Sequence, residues 1–177
     1  RNLSRGLGDV YKRQDIKSET KLCFKNGLSD YIHFKTASIP LFIGTTFEEK
    51  VKINDEIIEL AIRWFDQNEL SFIETFCNTV STPLGGTHEQ GLKQAMTKAI
   101  RNFAEIKGFK KSMELNYDDL MGSSGTILSI FIKDPQFQGQ TKEKLVNISI
   151  TKLVETAIKD RFETWLTNDT ETGDAII

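Results

Sequence analysis

The 177-residue chain contains few of the residue types that build metal sites, disulfide frameworks and membrane spans. Its two cysteines, Cys23 and Cys77, show no Cys-x-x-C spacing, which favours a reduced intracellular compartment. Its two histidines, His33 and His88, are too few to form a histidine-based metal site, so we predict no bound metal. Because no apolar run approaches the roughly 20 residues of a transmembrane helix, we also predict no membrane contact.

An excess of positive charge is absent as well. The chain has 23 basic and 25 acidic residues, and its formal net charge is −2. A domain that binds nucleic acid through the backbone phosphates usually has lysine and arginine residues concentrated on one surface. We therefore expect any contact with DNA to be local and weak.

The first fourteen residues differ from the rest. Residues 4–14, with the sequence SRGLGDVYKRQ, are similar over all eleven positions to the translation of a transposase sequencing adapter. We interpret residues 1–14 as an adapter artefact on an environmental (metagenomic) gene fragment and exclude them as a fusion scar. The alternative is a genuine basic N-terminal arm. Without their four basic residues and one acidic residue, 19 basic and 24 acidic residues remain, and the formal net charge is −5.

Four segments of the remaining chain alternate apolar and polar residues with the period of a β-strand. Short polar turns separate the first three, so we predict that these form an antiparallel meander. The fourth lies much later and places Leu128 and Ile130 on one face, with Ile127 and Phe131 on the other. The predicted strands cover residues 47–53, 58–65, 70–76 and 126–132.

Two segments show the helical spacing of apolar residues. At the start of the first, Thr87 and Gln90 fit a capping box, and after its end Gly108 is placed for a left-handed C-cap. Shorter helices are predicted over residues 27–37 and near residues 117–120, and the polar tail after residue 166 should lead into another. The apolar stripe of the first long helix consists of Leu92, Ala95, Met96, Ala99, Ile100, Phe103 and Ile106. The second long helix is predicted over residues 149–166, and its stripe consists of Ile150, Leu153, Val154, Ala157, Ile158, Phe162, Trp165 and Leu166.

These elements predict an α/β (α+β) two-layer sandwich. Its sheet would be four-stranded and mostly antiparallel, with the two long helices on one face. Because each helix has a single apolar stripe, only that face is covered. The other face, which carries Phe65, Ile73 and Phe131 or the residues that alternate with them, should be partly exposed here and packed against a neighbouring domain in the parent protein.

Three sequence blocks carry a family resemblance: residues 24–31 (FKNGLSDY), 77–92 (CNTVSTPLGGTHEQGL) and 136–145 (QFQGQTKEKL). Their order and spacing resemble the ATPase subunits of bacterial type IIA topoisomerases, which are the B subunits of topoisomerase IV and of DNA gyrase. The resemblance covers nearly all of the chain after about residue 20, and its details are more similar to topoisomerase IV than to gyrase.

The resemblance implies a transducer domain with a ribosomal-protein-S5-like fold. Pro40 and Gly44 mark a connection in the sequence, and we place a domain junction there. Residues 15–39 would be the C-terminal remnant of a GHKL ATP-binding domain. Residues 40–177 would be the transducer domain, with its C-terminal helix truncated.

The loop at residues 136–145 is the candidate site. In the family, the lysine that matches Lys142 bonds the γ-phosphate of ATP held by the neighbouring domain, and the resemblance places Gln140 and Thr141 beside it. An ammonium on a flexible stem can reach a phosphate as a point charge. Lys144 is expected to be solvated.

For the parent protein, the resemblance implies an ATP-hydrolysing DNA topoisomerase, an isomerase that changes DNA topology by passing one duplex through another. ATP and Mg²⁺ would bind mainly outside this chain, so the chain alone is expected to be inactive. The implied partners are DNA, the A subunit of topoisomerase IV in a heterotetramer, and a second copy of the B subunit. The implied location is the bacterial cytoplasm, in association with the nucleoid.

Other segments of the chain are weaker candidates for functional sites. Residues 85–87 (GGT) could hold an anion at a helix N-terminus or form a tight turn capped by Thr87, which we favour. His88 could be a general base, but it has no visible partner, and a structural role is favoured. The adjacent Asp118 and Asp119 point in different directions on a helix, which disfavours a metal site. The segment 121–125 (MGSSG) departs from the Arg-Glu-Gly that is common in the family.

The sequence leaves two alternative functions open. One is the B subunit of DNA gyrase, in the same class. The other, from a different class, is a standalone S5-like RNA-binding module, which the acidic balance disfavours.

Overall fold

The computed structural model describes residues 24–41, 43–66 and 70–177. The proposed adapter, residues 1–14, and the first part of the expected ATP-binding remnant lie outside these residues. The elements follow in the order α1 (Leu28–Lys35), β1 (Phe47–Ile53), β2 (Glu56–Trp64), β3 (Phe72–Cys77), β4 (Val80–Ser81), α2 (Thr87–Ile106), a 3-10 turn (Ser112–Glu114), α3 (Tyr117–Met121), β5 (Ser124–Phe131), α4 (Ile148–Asn168) and α5 (Thr170–Ile176).

Within the described residues, five strands form one sheet in the order β1-β2-β5-β3-β4. Three neighbouring pairs are antiparallel, and β3 pairs with β5 in parallel. The predicted meander is therefore wrong at its third strand, because β5 lies between β2 and β3. Residues 124–130 of β5 are all buried, as a strand covered on both faces requires, so β5 takes the centre of the sheet. The predicted four strands become five because the two-residue β4 is too short to show a period.

The main core lies between the sheet and the helices α2 and α4. Both predicted apolar stripes face this core, with one exception. Ile106 is the last residue of α2 and is 78% exposed. Four aromatic rings of this core pack together, with centroids 4.9–6.2 Å apart: Phe47, Trp64, Phe162 and Trp165. The two-layer α/β sandwich is thus confirmed.

The second face of the sheet is covered in part by α1. Ile32 of α1 is fully buried against Ala61 of β2 and Ile127 of β5. The Tyr31 hydroxyl donates to a Glu74 carboxylate oxygen at 2.9 Å, which ties α1 to β3 as well. The sequence left open which side of β3 lies on this face. Ile73 packs against the main core, and the alternating residues Phe72 and Phe76 pack against the second face.

The end of α2 follows the predicted chemistry, and the start of α3 has a capping box that the sequence analysis did not predict. After α2, Gly108 has a φ of +78°, and Phe109 N–H donates to Ala104 O at 2.9 Å, which is a Schellman C-cap. At the start of α3, Asn116 and Asp119 form a reciprocal capping box. This gives Asp119 a structural role.

Among the described residues, no group of three or more His, Cys, Asp or Glu residues could hold a metal ion. No helix in this part of the chain is long and apolar enough to span a bilayer.

Candidate functional site

The candidate loop joins β5 to α4 and is closed by its own backbone. Gln138 N–H donates to Lys144 O at 2.9 Å, and Val146 N–H donates to Gln136 O at 2.9 Å. These two bonds pair the arms of the loop like a short hairpin. The residues between them, 139–143, form the tip.

The C-terminal arm of the loop is anchored to the segment before α2. Leu145 is fully buried, and its N–H donates to Gly85 O at 3.1 Å. Its carbonyl oxygen accepts from Thr87 N–H at 3.1 Å, and Leu84 N–H donates to Glu143 O at 3.0 Å. Residues about 60 positions apart in the sequence are therefore joined at one place.

Gly86 makes this close pairing possible. Its φ of +136° and ψ of −155° belong to a region that is essentially restricted to glycine. A Cβ at this position would lie 2.2 Å from Leu145 O, which is well inside contact distance. The interpretation of residues 85–87 as a tight turn is thus favoured over an anion site, since Thr87 N–H already donates to Leu145 O.

The predicted capping box at α2 is wrong. Gly86 is the N-cap, no side chain caps the helix, and Thr87 is already its first residue. The Thr87 hydroxyl is buried without a hydrogen-bond partner among the described residues. In the predicted box the Thr87 hydroxyl would accept from Gln90 N–H, but Gln90 N–H donates to Gly86 O instead. Thr87 N–H, the donor that the Gln90 side chain would have needed, donates to Leu145 O.

The loop tip presents all three candidate residues to solvent. Gln140, Thr141 and Lys142 are exposed, and the Thr141 hydroxyl donates to a Glu143 carboxylate oxygen at 3.1 Å. Within the described part of the chain, no carboxylate forms an ion pair with Lys142. Lys142 has a φ of +57°, a left-handed conformation that costs a non-glycine residue about 1–2 kcal/mol. Such strained residues persist where the surroundings fix them, and they are frequent at ligand-binding sites.

His88 does not take part in this site. It is fully buried in the first turn of α2, and its Nε2 lies 3.0 Å from the Thr82 hydroxyl, which lies 2.7 Å from the Thr75 hydroxyl. Burial lowers the pKa of His88 to about 4, so the imidazole is neutral near pH 7. These contacts support the structural role. Sequence reasoning missed Thr75 and Thr82, because isolated threonines on strands and turns carry no distinguishing pattern.

The sequence comparisons agree on one family. The family described as DNA gyrase B matches residues 27–177. The B subunit of DNA topoisomerase 4 from Rickettsia prowazekii is 42% identical over 163 residues, which make up 91% of this chain and 25% of that protein. The chain thus spans about a quarter of the length of the curated relatives that it matches.

Solved structures of the same kind superpose on the chain. A topoisomerase IV ATP-binding domain of Francisella tularensis, in complex with a small-molecule inhibitor, gives a TM-score of 0.72 at 28% identity, over 88% of this chain and 42% of that one. The 43K ATPase domain of Thermus thermophilus gyrase B, in complex with an aminocoumarin, gives a TM-score of 0.74 at 23% identity, over 86% and 41%. The second match supports the fold alone.

Proposed function

The chain belongs to the DNA gyrase B family, and we propose that it is the transducer region of the B subunit of a topoisomerase IV. In this role it couples the binding and hydrolysis of ATP, with Mg²⁺, to the passage of one DNA duplex through another. The curated relatives, which are B subunits of topoisomerase 4, favour topoisomerase IV over gyrase. No observation favours the RNA-binding alternative.

The observation that carries the proposal is the anchored loop with Lys142 at its tip. An exposed ammonium without an acidic partner among the described residues is available to a phosphate. A loop that is hydrogen-bonded to α2 holds that charge at a defined place relative to the sheet. Gln140 and Thr141, exposed beside it, are proposed to contact the same γ-phosphate.

The proposed coupling follows from a simple difference between ATP and ADP. Lys142 would contact the γ-phosphate of ATP held by the ATP-binding domain, and this contact is lost when the phosphate leaves. ATP therefore favours one orientation of the two domains, since a ligand shifts an equilibrium towards the state that it binds better. The same ammonium can stabilise the charge that develops during phosphoryl transfer.

We propose that residues 15–39 end the ATP-binding domain and that residues 40–177 form the transducer. Because α1 shares a core with β2 and β5, this boundary does not separate two independent cores. The proposed partners are DNA, the A subunit in a heterotetramer, and a second copy of the B subunit, in the bacterial cytoplasm. The chain alone should not turn over ATP, because its proposed role is to contact a nucleotide that another domain binds.

The test is Lys142→Ala in the full-length protein that includes these residues, assembled with its partner subunit. ATP hydrolysis and decatenation should fall by a factor of about 10²–10³, the usual cost of losing one charge-stabilising group. Binding of ADP should barely change, because ADP lacks the γ-phosphate.

The matched control is Lys144→Ala, two residues away, which should have a mild effect. The proposal is wrong if Lys142→Ala retains near-normal ATP-driven decatenation, or if Lys144→Ala is the more damaging of the two.

A further inference from the structure

Asn147 stands at the N-cap of α4 but does not cap it. Asparagine is among the best N-cap residues, because its side-chain oxygen accepts from a backbone N–H in the first turn, and this bond contributes about 1 kcal/mol. In α4, however, no side-chain cap hydrogen bond is formed. The hydrogen bonds of the Asn147 side chain must therefore be looked for outside α4.

That side chain turns back towards the start of the loop. Its Oδ1 accepts from Gln136 N–H at 2.6 Å, and its Nδ2 donates to Asp134 O at 3.0 Å. Both polar atoms of the Asn147 side chain are therefore hydrogen-bonded to the backbone of the segment that follows β5. They join the two ends of the loop at its base, next to the backbone bond from Val146 N–H to Gln136 O at 2.9 Å.

The Asn147 contacts complete the support of the loop. The C-terminal arm is fixed to the segment before α2 through Leu145. In the described part of the chain, the backbone hydrogen bonds of the N-terminal arm run to the C-terminal arm, and Phe137 of the N-terminal arm packs against the main core. Asn147 fixes the N-terminal arm to the start of α4. With both arms held, the tip that carries Lys142 has a defined position.

We propose that Asn147 is a positioning residue for Lys142, and that its side chain closes the base of the loop so that the ammonium meets the γ-phosphate. This inference rests on the proposed function of Lys142. Asn147 touches neither ATP nor the reacting atoms. It acts through the loop, and its removal should therefore matter only while Lys142 is present.

The experiment is a double-mutant cycle in the full-length protein, with ATP hydrolysis as the readout. Asn147→Ala should lower kcat by about tenfold to a hundredfold, the scale expected for a small displacement of a group that contacts the reacting phosphate. KM for ATP should change little. In the Lys142→Ala background, the same Asn147→Ala change should leave the residual rate unaltered within about twofold.

A merely structural role predicts a different pattern. Asn147→Ala would then lower the rate by the same factor in both backgrounds, and this result would overturn the inference. The control is Asn102→Ala, which removes one exposed asparagine hydrogen bond, from Asn102 Nδ2 to Glu163 Oε1 at 2.6 Å between α2 and α4, where Asn147→Ala removes two. It should leave kcat unchanged, and an equal loss in both variants would also contradict the inference.

The outcomes separate this inference from the proposed function. If Lys142→Ala has no effect on ATP hydrolysis, the proposed function itself fails. If Lys142→Ala is damaging but Asn147→Ala is not, only the positioning role fails.

Should Asn147→Ala prevent folding, Asn147→Asp replaces it: the acceptor for Gln136 N–H remains and the donor to Asp134 O is lost. Its kcat should then fall in the presence of Lys142 only, and an unchanged kcat would overturn the inference.

Discussion

Gly86→Ala adds one methyl group at the place where the candidate loop meets α2. The added Cβ would lie 2.2 Å from Leu145 O and 2.7 Å from Leu145 N, both backbone atoms that cannot rotate away. The backbone at Gly86 also has a φ of +136°, which alanine does not tolerate. The chain must therefore move Leu145 away from Gly86 or change the turn.

The cost can be estimated from these contacts. A residue held in such a backbone region costs about 1–3 kcal/mol. Separation of the two segments also weakens the hydrogen bonds from Leu145 N–H to Gly85 O and from Thr87 N–H to Leu145 O, at about 1 kcal/mol each. A loss of about 3 kcal/mol in the free energy of unfolding corresponds to a decrease in Tm of roughly 6–12 °C for a domain of this size.

The assay is thermal unfolding of the chain, followed by amide hydrogen exchange at Leu145. Gly44→Ala is the matched control, because a Cβ there meets nothing within 4 Å, and its Tm should stay within about 2 °C of the original. Gly86→Ala should both melt earlier and expose the Leu145 amide to exchange. An unchanged Tm with a protected Leu145 amide would refute the anchoring of the loop through Gly86.

Two further predictions concern pH and turnover. His88 has a folded pKa of about 4, below its ordinary value of 6.5, so its contribution to stability is complete above pH 6.5 and is lost as the pH falls towards 4, by about 3 kcal/mol in total. Its ring proton shifts in NMR should stay at the neutral position from pH 7 to 5, and a midpoint near 6.5 would contradict the burial argument. The isolated chain should release no phosphate from ATP in a coupled assay; turnover that is lost on His88→Gln would mean that it is an enzyme in its own right.

The sequence predicted local structure well, because local structure follows from short-range periodicity. The strand over residues 47–53 and the apolar stripe of α4 are present as expected. The order of strands was not predictable in this way. Alternation shows which residues share a face, but only the burial of β5 on both faces reveals that it lies at the centre of the sheet.

The candidate site was likewise predictable only in its local features. A lysine in a short loop, Lys142, was found through the family resemblance, and its role remains a prediction. The pairing of Leu145 with Gly85 and Thr87 joins segments far apart in sequence, and no local pattern indicates it. The unsuccessful capping prediction at Thr87 has the same cause in part, because the tertiary bond from Thr87 N–H to Leu145 O replaced one of the two local bonds of the predicted box.

The γ-phosphate contact of Lys142 can be measured directly by lysine acylation footprinting of the full-length protein. Lys142 is exposed in this chain, so a lysine-reactive ester should modify it readily without nucleotide. With a non-hydrolysable ATP analogue we expect strong protection of Lys142, and with ADP we expect none, while Lys144 should react similarly in both. Equal labelling of Lys142 with the analogue and with ADP would contradict the proposal that this residue senses the γ-phosphate.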